Sequence, residues 1–267
     1  MKVALIQMNS QGDKAANLDQ ASELIERAVA EERPDFVALP ETWTMLSEDN
    51  AAKRASAEPV PGGEAYGMLQ ELAGKHGIVL HGGSLIERNG EAVYNTTVVF
   101  DRDGRELARY RKLHLFDIVT PDGKEYRESA TFTRGARVVS FDALGTRVGL
   151  SICYDLRFAE LYLQLAKDGA KVILVPAAFT LQTGKDHWEV LLRARAIETQ
   201  TYVLAPAQWG RYAGGSRACY GHTLIADPWG HVIARAQDKV GYVAARLDLE
   251  EVERVRRRMP CAEHRVL

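Results

Sequence analysis

Three residues that stand where strands should end are of the types that acyl transfer needs. Cys153 closes the run Gly149-Leu150-Ser151-Ile152 and precedes apolar residues at helical spacing, Phe158, Leu161, Tyr162 and Leu165. A thiol between a strand end and a helix start meets unpaired N–H groups and a positive dipole end, both of which favour a thiolate. Taken alone, such a cysteine is more often a small buried hydrophobe. Glu41 ends Phe36-Val37-Ala38-Leu39-Pro40, where partial desolvation suits a carboxylate to general-base work. Lys112, in Tyr110-Arg111-Lys112-Leu113-His114, stands where another strand should end. Singly, each charge reads as solvated surface. Together the three supply a nucleophile, a proton acceptor and a fixed positive charge for a developing oxyanion.

The elements that must position them follow from periodicity. Residues Lys2 to Met8 predict a buried strand, and Leu18, Ala21, Ile25, Ala28 and Val29 predict a helix ended by Pro34. The run 36–39 completes a βαβ unit whose strands should be parallel. A helix around Tyr66 to Ala73 precedes strand-like Ile78 to Ile86 and Ala92 to Phe100, and Asp101-Arg102-Asp103-Gly104 signals a hairpin. The polar segment Phe116 to Arg134 predicts a long functional loop. Strands at 138–141 and 147–152, a helix closed by Gly169 and a strand at 172–176 form a second βαβ unit. A further helix over 186–200 precedes strands near 202–206, 221–226, 231–236 and 241–247, with Asp227-Pro228-Trp229-Gly230 as a turn. No sequence repeat, linker or low-complexity stretch interrupts this order. The expected architecture is an αββα sandwich of two mixed sheets flanked by helices, one domain over 1–267.

Composition narrows the function. The 267 residues carry a net charge of −2, which offers no general field for nucleic acid or an anionic membrane. No apolar run is long enough to span a bilayer, and the short N-terminal run lacks the pattern of a signal peptide. Three widely spaced cysteines, Cys153, Cys219 and Cys261, argue against a disulfide framework and for a reducing, cytoplasmic setting. His and Cys residues show no metal-ligand spacing.

Other nucleophile arrangements are weaker. His114 shares a strand face with Lys112 and could pair with Cys153, but no partner to orient its ring is evident. His187 and His222 read as structural hydrogen-bonding groups. Gly82-Gly83-Ser84 and Gly214-Gly215-Ser216 could suggest a serine amidase, yet turn glycines explain both.

The contexts Leu39-Pro40-Glu41, Tyr110-Arg111-Lys112-Leu113-His114 and Cys153-Tyr154-Asp155, with the segments 145–158, His187 to Gln200 and Tyr220 to Gly230, resemble the nitrilase superfamily of carbon-nitrogen hydrolases over essentially the whole chain. The last two segments look most like its deaminated glutathione amidase branch, with the omega-amidase branch next. The resemblance implies a nitrilase-like fold and catalytic Glu41, Lys112 and Cys153. It adds Glu128, within Tyr126-Arg127-Glu128-Ser129, as a second glutamate orienting substrate or supporting Lys112. It implies a thioester intermediate, an oxyanion held by Lys112 and the Tyr154 backbone N–H, and a small anionic amide as substrate. No metal or organic cofactor is implied. A homodimer or higher assembly is, with helices near Cys153 and over 186–200 at the interface. Arg157, Arg211 and Arg217 are candidates for a substrate carboxylate, while Phe179 and Thr180, in the loop Ala177 to Gly184, should shape the acyl pocket. Ala159 departs from the proline common in relatives and bears only on the helix start. A non-catalytic module of the same fold is the alternative from another class, which an intact Glu41, Lys112 and Cys153 disfavours.

Overall fold

A computed structural model describes residues 1–266 and shows two mixed sheets face to face with helices outside. The first sheet runs Gly241–Arg246, Lys2–Gln7, Phe36–Ala38, Val79–His81, Ala92–Phe100, Leu85–Asn89 and Glu58–Pro59, and Glu106–Arg111 also pairs with Ala92–Phe100. The second runs Ser140–Ala143, Thr146–Leu150, Val172–Leu174, Tyr202–Ala205, Leu224–Ala226 and Val232–Arg235. Both expected βαβ units are present with parallel register, Val3 opposite Phe36 and Val148 opposite Val172.

Strand alternation builds the layers. Val3 and Leu5 point into the core shared with Val148, Leu150 and Val172. Ala4 and Ile6 point outward onto Leu18, Ala21 and Ile25 of the helix Lys14–Glu32 and Leu69 of the helix Glu64–His76. The parallel strands deliver their carboxyl ends to one edge of the sandwich, where the Trp209 N–H donates to Met8 O at 2.8 Å and joins the sheets.

Several boundaries differ from the periodicity. The run Ile78 to Ile86 is two strands broken at Gly82-Gly83-Ser84. The long loop contains a small hairpin, Asp117–Val119 with Glu125–Arg127, and a helical turn Glu128–Ala130. The helix expected over 186–200 starts at Leu181, capped by Thr180, whose side chain accepts from the Thr183 N–H. Gly184 hid that start by its poor helix propensity. Glycine is required there because a Cβ would lie 2.3 Å from Tyr220 Cβ. The pocket loop therefore stops at Thr180 rather than Gly184.

Candidate active site

Glu41 lies three residues past the Phe36–Ala38 strand and is held by the Gly82-Gly83-Ser84 break. The Ser84 N–H donates to Pro40 O at 3.1 Å, the Thr42 N–H donates to Ser84 Oγ at 2.9 Å, and Trp43 Nε1 donates to Gly82 O at 2.8 Å. Gly83 has φ +58, and a Cβ on it would sit 2.0 Å from Pro40 O, so no other residue fits without moving the segment. The glycines are a clamp for Glu41 rather than part of a serine site. Next to Glu41, Thr42 has φ 44, an outlier for a β-branched residue.

The Glu41 carboxylate is buried and fully engaged. Its Oε1 accepts from Asn95 Nδ2 and Lys112 Nζ, both at 2.9 Å, and its Oε2 accepts from the Ala178 N–H at 2.7 Å. Lys112, 2% exposed, also donates to Glu128 Oε1 at 3.0 Å and Oε2 at 2.8 Å. Asn95 Nδ2 reaches Glu128 Oε1 at 3.1 Å, bridging the carboxylates, and the Phe116 N–H holds Glu128 Oε2 at 2.7 Å. Burial alone would lower the Lys112 ammonium, but Glu128 and Glu41 outweigh it and hold it well above its ordinary range. The group stays a cation.

Cys153 begins a five-residue 3₁₀ helix, Cys153–Arg157, and has φ 47, a strained left-handed conformation at the proposed nucleophile. Its N–H donates to Pro176 O at 3.0 Å, while the Tyr154 N–H has no acceptor among the described residues. Burial pushes the Cys153 thiol well above its ordinary range, the Glu41 carboxylate pushes the same way, and Lys112 opposes both without prevailing. The thiolate expected from the strand-end position is thus not favoured: the site favours the thiol.

Glu41, Lys112, Glu128, Cys153, Tyr154, Phe179 and Thr180 line one cavity of about 340 Å³, enough for a small molecule. Of the three arginines, Arg217 lines it while Arg157 and Arg211 do not. In the hairpin Trp209–Tyr212 with Arg217–Tyr220, Arg217 is paired with Tyr212 and shares its cavity-facing side, and alternation turns Arg211 away to donate to Gly215 O at 3.0 Å. The Arg157 guanidinium lies over the Phe179 ring, 5.2 Å from its centre, and 3.3 Å from His187 Nδ1, so it supports that wall from behind. His114 does have an orienting partner. Its Nδ1 is 2.7 Å from Asp155 Oδ1, but its ring stacks on Phe158 at 3.7 Å and is no part of the cavity wall. Sequence reasoning missed Asn95, the Ala178 N–H and Lys53, which also lines the cavity. The polar run Asn95-Thr96-Thr97 between Val93-Tyr94 and Val98-Val99, with a strand-disfavouring asparagine at its head, was the available signal for the first.

The sequence pattern of the carbon-nitrogen hydrolases matches residues 2–257. A deaminated glutathione amidase from Synechocystis sp. is 43% identical over 98% of this chain and 97% of its own. An omega-amidase from Danio rerio is 39% identical over 99% of this chain and 94% of its own. The crystal structure of the C. elegans NitFhit protein superposes with a TM-score of 0.92 at 39% identity, covering 99% of this chain and 65% of that one.

Proposed function

Since the chain belongs to the carbon-nitrogen hydrolase family, we propose that it is an amidase that cleaves a small linear amide through a thioester on Cys153, with deaminated glutathione as the preferred substrate. The observation that carries this is one cavity shared by a buried thiol, a buried carboxylate and a buried ammonium.

As the Cys153 sulfur bonds to the amide carbon, its proton passes to Glu41, and the carbonyl oxygen takes the negative charge beside Lys112 and the free Tyr154 N–H. Glu41 returns the proton to the nitrogen as the C–N bond breaks, leaving the acyl group on sulfur. Water then adds while Glu41 accepts its proton, and the C–S bond breaks to release the acid and restore the thiol. Glu128 and Asn95 hold Lys112 and Glu41 in register for both halves and need not touch substrate. A chain that had become a binding module would be under no constraint to keep Cys153 strained beside this charge network.

The chain acts in this proposal as a single catalytic unit, in the cytoplasm, as a homodimer or higher assembly. Three free cysteines support the compartment. Exposed Val190 and Ile197 on the helix Leu181–Thr199 support the assembly. Among the described residues no helix is long and apolar enough to cross a membrane.

Steady-state kinetics on deaminated glutathione and on α-ketoglutaramate tests the reading. We expect turnover of both with a higher kcat/KM for the first, and loss of more than ~10³-fold in Cys153→Ala. The reverse order assigns an omega-amidase, and full activity of Cys153→Ala removes the thioester scheme.

A further inference from the structure

Besides Lys112, three cations line the cavity and take no part in the reaction: Arg127, which is exposed and paired with Glu125, and two others. Lys53, on the short helix Asn50–Ala55, and Arg217 both line it. Arg217 is anchored on three sides. Its Nε pairs with Glu48, its Nη2 donates to Glu125 O at 3.0 Å, and its guanidinium lies 4.1 Å from the centre of the Tyr126 ring. Its Nη1 is buried with no acceptor in hydrogen-bonding geometry. A buried unpaired donor on a charged group is costly, and an anion in the cavity that Arg217 lines would complete it.

Lys53 makes no ion pair among the described residues, although three carboxylates act on it. Each is committed elsewhere. Glu48 is held by Ser216 and Arg217, Asp49 accepts from the N–H groups of Ala51 and Ala52, and Glu128 is held by Lys112 and Phe116. Burial pulls the Lys53 ammonium below its ordinary range; Glu128 opposes this and the neighbouring Arg217 charge reinforces it. Two like charges over one small volume, one with a spare donor and the other unpaired, repel each other until an anion enters between them.

We propose that Lys53 and Arg217 form the carboxylate-recognising end of the cavity that holds Cys153, and that the amides this protein prefers carry a carboxylate that reaches them. This rests on the proposed amidase activity. The carboxylate can belong to the acyl chain, as in a dicarboxylate monoamide, or to the leaving amine, as in an N-acylglycine.

The test compares kcat/KM for each of those two substrate types with that for its methyl ester, in the wild type, Lys53→Met and Arg217→Gln. The charged-to-capped ratio should fall by about 10- to 100-fold in both variants in one arm, the size of a hydrogen bond to a charged group. The arm that responds identifies the source of the carboxylate. A ratio preserved within about twofold in both arms overturns the proposal. If the wild type hydrolyses none of the four compounds, the amidase reading falls by itself, and calorimetric titration with glutarate decides the subsite. Binding weakened tenfold or more in the variants supports it, and equal or absent binding overturns it. Should Arg217→Gln fail to fold, Lys53→Met decides alone.

Discussion

At Cys153 burial, two carboxylates and one ammonium compete over one proton, with Glu128 the weaker of the carboxylates. Burial and the Glu41 carboxylate favour the thiol and Lys112 favours the thiolate, with burial the largest. Removing the carboxylate should therefore move the thiol downward, because the negative charge goes while the ammonium stays. In Glu41→Gln the pH at which iodoacetamide alkylation of Cys153 reaches half its maximal rate should lie below that of the wild type, while amide turnover falls by ~10²- to 10⁴-fold for want of a general base. Unchanged or raised alkylation titration contradicts the assigned balance of charges. The sequence pointed to the residues that meet here, since each stands where a strand should end, but not to the state of the sulfur. The dipole argument assumed a full α-helix after Cys153. The chain instead makes a five-residue 3₁₀ turn there, and the α-helix starts only at Ala159, so the field at the sulfur is set by Glu41 and Lys112. The polar run within its strand marked Asn95 without showing its partners, and nothing marked the Ala178 N–H, because both roles exist only once strands distant in sequence converge.

At the scale of elements, the site depends on where strands stop. Glu41 points into the cavity because the chain after Phe36–Ala38 is pinned to the Gly82-Gly83-Ser84 break, and Thr97 Oγ1 pins the break in turn by donating to Gly83 O at 2.6 Å. Gly83→Ala should be severe, since it adds left-handed strain and drives a methyl into Pro40 O. We expect a loss of about 2–4 kcal/mol in urea unfolding, with kcat reduced through displacement of Glu41. A variant with wild-type unfolding midpoint and turnover would show that the clamp is dispensable. Periodicity read this stretch as one strand because its apolar residues continue across the glycines. In the same way Gly184 masked the first turn of the helix from Leu181, where a close approach to Tyr220 outweighs local propensity. Strands such as Lys2–Gln7 and Ala92–Phe100, buried on both faces, were read correctly because a short apolar run rich in β-branched and aromatic residues suits a strand between two layers.

Across the whole molecule, the groups proposed as catalytic, from both sheets, are tied by one buried carboxylate. Asp155 accepts from the Tyr110 hydroxyl at 2.6 Å, the His114 N–H at 3.0 Å and the Ile152 N–H at 2.8 Å, joining the strand end that carries Lys112 to the one that carries Cys153. This side of the molecule is closed, but the outer face of the second sheet's helix layer is not. Val190 is 67% exposed, Ile197 one heptad later 44% and Trp229 51%. They are contiguous, because Arg193 Nε donates to Gly230 O at 2.7 Å and a Cβ on Gly230 would touch Ile197. Ile233 extends the patch beside Arg235, which pairs with Glu189 on the same helix. Apolar side chains grouped this way are costly to leave in water, and a second copy of the chain would cover them. We therefore expect light scattering to give a mass at least twice that of the 29.6 kDa chain, and the double variant Val190→Lys, Ile197→Asp to shift it to the monomer. Both substituted sites are exposed, so each change should cost under about 0.5 kcal/mol of monomer stability. If that variant keeps the wild-type mass, the assembly uses another surface; a monomeric wild type leaves no assembly for this patch to serve.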